Sequence, residues 1–166
     1  MTKPELSNVY RDYIACLNRQ DWPALGRFVH EDVKHNGERL GVSGYRRMLE
    51  RDFSEIPDLS FHVELLVSDP PYIASRLRFN CTPKGEFLGL AVCGRRVSFA
   101  ENVFYEFRGE KIAEVWSVID KAAIEAQLAP HQIDQEESGD ATRQGQANGR
   151  SETDAAVGRQ PADPQG

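Results

Sequence analysis

The chain has 166 residues, is 40% hydrophobic and 28% charged, and carries a net charge of −6. This suits one globular domain and excludes collagen-like, coiled-coil and wholly disordered chains. The acidic balance disfavours nucleic acid or an anionic membrane surface as a partner, and no apolar run reaches the roughly 18 to 20 residues of a membrane span.

In chain order, Leu6, Val9, Tyr10, Tyr13, Ile14 and Leu17 recur at three- and four-residue spacing and predict an opening helix. Asp21 is expected to cap a short second helix with Pro23 in its first turn and Leu25, Phe28 and Val29 as its buried stripe. A third helix is expected after Ser43, with Tyr45, Met48, Leu49 and Phe53 on one face and Pro57 limiting its end. The period then changes to two. Leu59, Phe61, Val63, Leu65 and Val67 predict a strand that stops at Asp69-Pro70-Pro71, and Ile73, Leu77, Phe79 and Cys81 predict a second. Two more strands, 96–108 and 111–120, flank Gly109-Glu110, a two-residue link suited to a type II′ turn, and a last helix is expected over Lys121 to Leu128. Helices followed by an antiparallel meander make an α+β pattern, with N-terminal helices packed on one face of a curved antiparallel sheet.

Composition changes near Pro130. From Ile133 to Gly166 there is no aromatic residue, and seven acidic residues face three Arg, so the expected division is a domain over 1–132 and a disordered, acidic tail over 133–166. Cys16, Cys81 and Cys93 are odd in number and lack CxxC spacing, which predicts neither disulfides nor a zinc site. His30 and His35 come with no matching acidic or cysteine ligands, so no metal is expected. The polar opening segment does not read as a secretory signal, and the expected compartment is the cytoplasm.

A two-residue turn at Gly109-Glu110 sets opposite each other the residues whose numbers sum to 219. On one face this pairs Phe107 with Ile112, Tyr105 with Glu114, Val103 with Trp116, Glu101 with Val118 and Phe99 with Asp120. Asp120 and Glu101 would then be diagonal neighbours on an apolar face, a setting that raises a carboxyl pKa. Asp120 also stands where a helix N-cap belongs, and both readings remain open at this stage. The other face would pair Phe104 with Val115 and Ala100 with Ile119, too apolar to be left in water, which predicts a homodimer through it.

The order of elements, the segment GEFLGLAVCGRRVSF (85–99), the turn RGEKIAEVW (108–116), Asp120 four positions after Trp116, and the early VKHN (33–36) resemble the SnoaL-like polyketide cyclases and predicted ester cyclases of the NTF2-like superfamily. The resemblance covers roughly residues 3 to 130. It implies a conical α+β barrel around an apolar pocket, often in a homodimer, that binds a hydrophobic small molecule without a cofactor. It gives Asp120 the role of general acid/base in an intramolecular aldol closure and sets His35 in the pocket wall. Glu101 is the second candidate acid. Trp116, Phe99, Val103, Val118, Tyr13, Met48, Phe53 and Phe87 are the expected substrate contacts. Pro83 stands where the family often has His, and Ala91-Val92-Cys93 where Pro and Thr are usual.

The expected function is therefore a cofactor-independent enzyme that moves a proton alpha to a carbonyl, for ring closure or isomerisation of an apolar compound such as a polyketide. The alternatives are a non-catalytic module binding an apolar ligand or a partner protein, and a small epoxide or ester hydrolase with a carboxylate-activated water.

Overall fold

A computed structural model describes residues 1–130; the expected tail over 133–166 lies outside the described residues. Helix α1 (Lys3–Arg19) opens with a capping box, Thr2 and Glu5 each bonding the other's backbone, and buries Leu6, Tyr10, Tyr13, Ile14 and Leu17 as the spacing predicts. Next comes a 3-10 helix, Trp22–Arg27. Asp21 makes no side-chain cap there, and Val29 begins a strand instead of closing a helix stripe.

That strand, β1 (Val29–His35), and its short hairpin partner β2 (Glu38–Arg39) are absent from the expected order. They are joined by Asn36-Gly37, whose φ values of 46° and 83° are those of a type I′ turn. Helix α2 (Gly41–Glu55) follows. The remaining elements are β3 (His62–Asp69), β4 (Tyr72–Cys81), a small hairpin of β5 (Glu86–Phe87) and β6 (Leu90–Ala91), then β7 (Val97–Arg108), β8 (Lys111–Ile119) and α3 (Lys121–Leu128).

The main sheet has the order β2-β1-β8-β7-β4-β3. Because β1 runs parallel to β8, the sheet is mixed, and this corrects the expectation of a purely antiparallel meander. The fold is α+β, with the N-terminal helices on one face of a curved sheet. Among the described residues no helix covers the other face, and Leu65, Val67, Phe104, Trp116 and Val118 stand exposed on it.

Two bulges set which residues face which way. In β3 the register slips between Val63 and Leu65, so Leu65 and Val67 leave the inward row that strict alternation gives them. In β8 the turn at Gly109-Glu110 forms and pairs Phe107 with Ile112 as expected, but Ala113 is an extra residue. Beyond it Glu106 pairs with Glu114, Phe104 with Trp116, Val103 with Ser117 and Glu101 with Ile119. Ser117 and Ile119 therefore face inward, and Trp116 and Val118 face outward. A one-residue slip reverses every side chain after it.

Three side-chain amides finish strands where backbone pairing runs out. Asn18 bonds the N–H and C=O of Phe61 at 2.8 and 2.9 Å, Asn36 those of Ser117 at 2.9 and 3.3 Å, and Gln127 those of Ser98 at 2.8 and 2.6 Å. Each satisfies a donor and an acceptor that would otherwise fray toward water.

Candidate functional site

The inward face of β7 and β8 meets α1 and α2 in a region that is apolar except for a small set of hydroxyl and ionisable groups. Alternation along β7 puts Phe99, Glu101, Val103 and Tyr105 on this face. Phe99, Val103 and Tyr105 are buried, and Glu101 is half-buried. From β8, Ser117 donates through Oγ to Glu101 Oε1. From the end of β1, half-buried His35 lies edge-on to Tyr45 with ring centroids 6.4 Å apart.

Behind these stand four buried phenols. Tyr13 and Tyr45 share a 2.7 Å hydrogen bond, and Tyr10 donates to Tyr105 at 3.4 Å. Burial holds all four in the protonated state: Tyr10 is pushed up to about 12, and Tyr13, Tyr45 and Tyr105 further. Behind burial, the charge of Glu101 adds to the upward push on Tyr10, Tyr13 and Tyr45. The phenols are thus neutral hydrogen-bond donors, while Glu101, His35 and Ser117 are half-buried.

A run of aromatic contacts extends the wall. Phe99 stacks on Phe79 at 5.2 Å and touches Phe87 at 5.5 Å; Phe79 meets Phe61, Phe61 meets Phe53, and Phe53 meets Trp22, with centroids 5.2 to 6.0 Å apart. Phe53, Phe87, Phe99, Val103 and Tyr13 are buried in the core, and Met48 is half-buried against it.

The structure does not bring Asp120 onto this face. Beyond the bulge at Ala113, Asp120 follows the inward Ile119, is exposed, and accepts at Oδ1 from the amide of Ala123 at 3.1 Å, so it caps α3. The diagonal pairing of Asp120 with Glu101 is corrected accordingly. Trp116 and Val118, 39% and 71% exposed, belong to the outward face and not to the lining. Val115 is buried on the inward face, so the outward neighbour of Phe104 is Trp116.

Sequence reasoning missed Ser117, Asn36 and Tyr45 as site residues. Asn-Gly at 36–37 is a hairpin signal that would have revealed β1, whereas no residue type announces the bulge that turns Ser117 inward. Among the described residues no group of three His, Cys, Asp or Glu is placed to hold a metal ion, and no helix is long and apolar enough to cross a membrane. Cys16, Cys81 and Cys93 are unpaired thiols. A depression of about 310 Å³ lies elsewhere, lined by Met1, Leu6, Pro70, Pro71, Phe107 and Gly109, and has no ionisable side chain.

The model of the SnoaL-like polyketide cyclases matches residues 7–128, and the chain belongs to that family. A SnoaL-like polyketide cyclase from Agrobacterium tumefaciens is 53% identical, with a TM-score of 0.75 over 78% of this chain and 100% of that one. TsrD from Streptomyces laurentii, 24% identical, covers 77% of this chain and 97% of its own with a TM-score of 0.67. IdmH from Streptomyces antibioticus, 20% identical, covers 74% and 97% with a TM-score of 0.64. These two share the fold. No curated protein sequence matches the chain.

Proposed function

We propose that the protein is an acid/base enzyme that cyclises or isomerises an apolar carbonyl compound of the polyketide class, with Glu101 as the proton-transfer group. The observation that carries this reading is the position of Glu101, an inward carboxylate among Phe99, Val103 and Tyr105 that accepts from Ser117 Oγ. Glu101 takes the proton from a carbon between two carbonyls. The enolate carbon so formed attacks a second carbonyl of the same molecule, one carbon–carbon bond forms, and the proton returns to the new alkoxide. His35, edge-on to Tyr45, would donate to the carbonyl oxygen on which charge develops. The aromatic wall holds the chain folded, so the two reacting carbons meet without loss of further freedom. No step calls for a cofactor.

Asp120 is a second reading for the proton-transfer role. The resemblance assigns it that role, and capping uses only its Oδ1. The test is deuterium exchange at the acidic carbon of a β-keto ester probe. Glu101→Gln is expected to lower the exchange rate by about 10² to 10⁴ while probe binding persists. Full exchange in Glu101→Gln with loss in Asp120→Asn would transfer the role to Asp120. Binding with no exchange in the wild type would leave a ligand-binding module.

The partner we propose is a second copy docked on the outward sheet face. Val67, Ala74, Phe104 and Trp116 form one cross-strand row on it, and Leu65, Arg76, Asn102 and Val118 the next. Phe104 and Val118 are 59% and 71% exposed, more contiguous apolar surface than a solvated sheet face carries. The unpaired thiols support a cytoplasmic setting.

A further inference from the structure

We propose that Asn36 is a positioning residue for Glu101. The inference rests on the proposed role of Glu101 for its relevance to catalysis, but its geometry is independent of that role.

Parallel pairing between β1 and β8 ends at His35 and Val115, where β1 turns away into its hairpin. The next outward-edge groups of β8 are the C=O of Val115 and the N–H and C=O of Ser117, and Asn36 takes all three. Its backbone N–H donates to Val115 O at 2.8 Å, its Nδ2 donates to Ser117 O at 3.3 Å, and its Oδ1 accepts from Ser117 N at 2.9 Å. One side chain thus extends the ladder by a residue after the strand itself has left.

The residue held in this way is the one whose Oγ donates to Glu101. Ser117 sits four residues past the bulge at Ala113, on the stretch of β8 that β1 no longer flanks, so without Asn36 only β7 would fix its backbone. Asn36 also adjoins His35. The same residue therefore ties the strand that carries the imidazole to the strand whose hydroxyl bonds the carboxylate of β7.

Asn36 has a second task from which this one must be separated. With φ of 46° it occupies the first position of the type I′ turn, where Asn and Gly are favoured. Glycine adopts that conformation without strain, so Asn36→Gly keeps the turn and deletes only the amide. The converse control is Gly37→Ala. Gly37 has φ of 83° and open space around its Cβ position, so the substitution strains the turn and touches nothing of the amide.

The experiment follows the Glu101 carboxyl carbon by NMR titration of protein labelled in glutamate, with Glu101→Gln assigning the signal. Ser117 of β8 bonds Glu101, the charge of Glu101 is felt by Tyr10 and Tyr13 of α1 and Tyr45 of α2, and His35 of β1 and Asp52 of α2 act on or beside Tyr45. The phenols stay protonated through the range scanned, and His35→Gln is run in parallel to remove the imidazole's own titration. A hydroxyl donating to a carboxylate favours the charged form, so Ser117→Ala raises the Glu101 midpoint, by about half to one pH unit. Asn36→Gly, and Asn36→Ala as a second variant, are expected to raise it in the same direction. The double variant Asn36→Gly/Ser117→Ala should go no further than Ser117→Ala alone, because both act through one hydroxyl. Gly37→Ala should lower Tm and leave the midpoint in place.

An unchanged midpoint in both Asn36 variants, additive shifts in the double variant, or equal shifts from Gly37→Ala would each overturn the proposal. Failure of the catalytic reading looks different: Glu101→Gln would exchange the β-keto ester proton at the wild-type rate while the Asn36 variants still moved the Glu101 midpoint.

Discussion

Asp120→Ala and Asp120→Asn separate the two tasks open to this residue. Asp120 Oδ1 accepts from Ala123 N at the first turn of α3, a helix of eight residues. Loss of such a cap costs about 0.5 to 2 kcal/mol. For a domain of this size about 1 kcal/mol corresponds to roughly 3 to 5 °C in Tm, so Asp120→Ala is expected to melt roughly 2 to 10 °C lower. The upper half of that range is favoured, because α3 has few other anchors: fully buried Ile124, the Gln127 amide on Ser98, and Arg95 on the carbonyls of Gln127 and Leu128. Asparagine caps nearly as well and forfeits only the charge at the helix N-terminus, about 0.3 to 1 kcal/mol at low salt, so Asp120→Asn should melt within a few degrees of the wild type. Calorimetry gives the first quantity and deuterium exchange into the β-keto ester probe the second. Both variants should retain exchange. Loss of exchange in Asp120→Asn at an unchanged Tm would give Asp120 the proton-transfer role, and no thermal cost in Asp120→Ala would refute its assignment to the cap.

Two other expectations concern the phenols and the outward face. Four of the five tyrosines are buried, with their ionisation pushed to about 12 or beyond, against about 10 in the unfolded chain. A folded-state pKa raised in this way contributes stability that is whole below about pH 10 and is lost as pH climbs toward the folded values. Phenolate absorbance at pH 11 should therefore stay at or below one tyrosine until the circular dichroism signal of the fold is lost; a larger rise from folded protein would contradict the buried wall. For the outward face, Phe104→Glu and Trp116→Glu should each convert a dimer to monomer in sedimentation velocity, and a monomeric wild type would end the second-copy reading.

Much of this arrangement is legible where local chemistry and period agree. The α1 stripe from Leu6 to Leu17, the inward row Ile73, Leu77, Phe79 and Cys81, and the Gly109-Glu110 turn stand as the sequence predicts. The failures cluster where a long-range pairing overrides a local pattern. Val29 fits a helix stripe in isolation, but it is fully buried in a strand because β8 is there to pair with it. Leu65 and Val67 read as inward by alternation, and the slip between Val63 and Leu65 turns them out. In the candidate site, parity turns Glu101 inward and only the resemblance singles out His35, whereas Ser117 is displaced by Ala113, an alanine with nothing in its chemistry to mark an extra residue. Register is a property of two strands together, and one strand's sequence does not contain it.

The amides of Asn18, Asn36 and Gln127 have a further consequence. Each closes a strand end with a group that neither gains nor loses a proton anywhere in the working range of a carboxylic acid. Had these joints been made by Asp or Glu, the backbone around Glu101 would loosen with acidity in step with Glu101 itself. With amides these three joints are indifferent to pH, and a proton taken up by Glu101 would leave them unchanged.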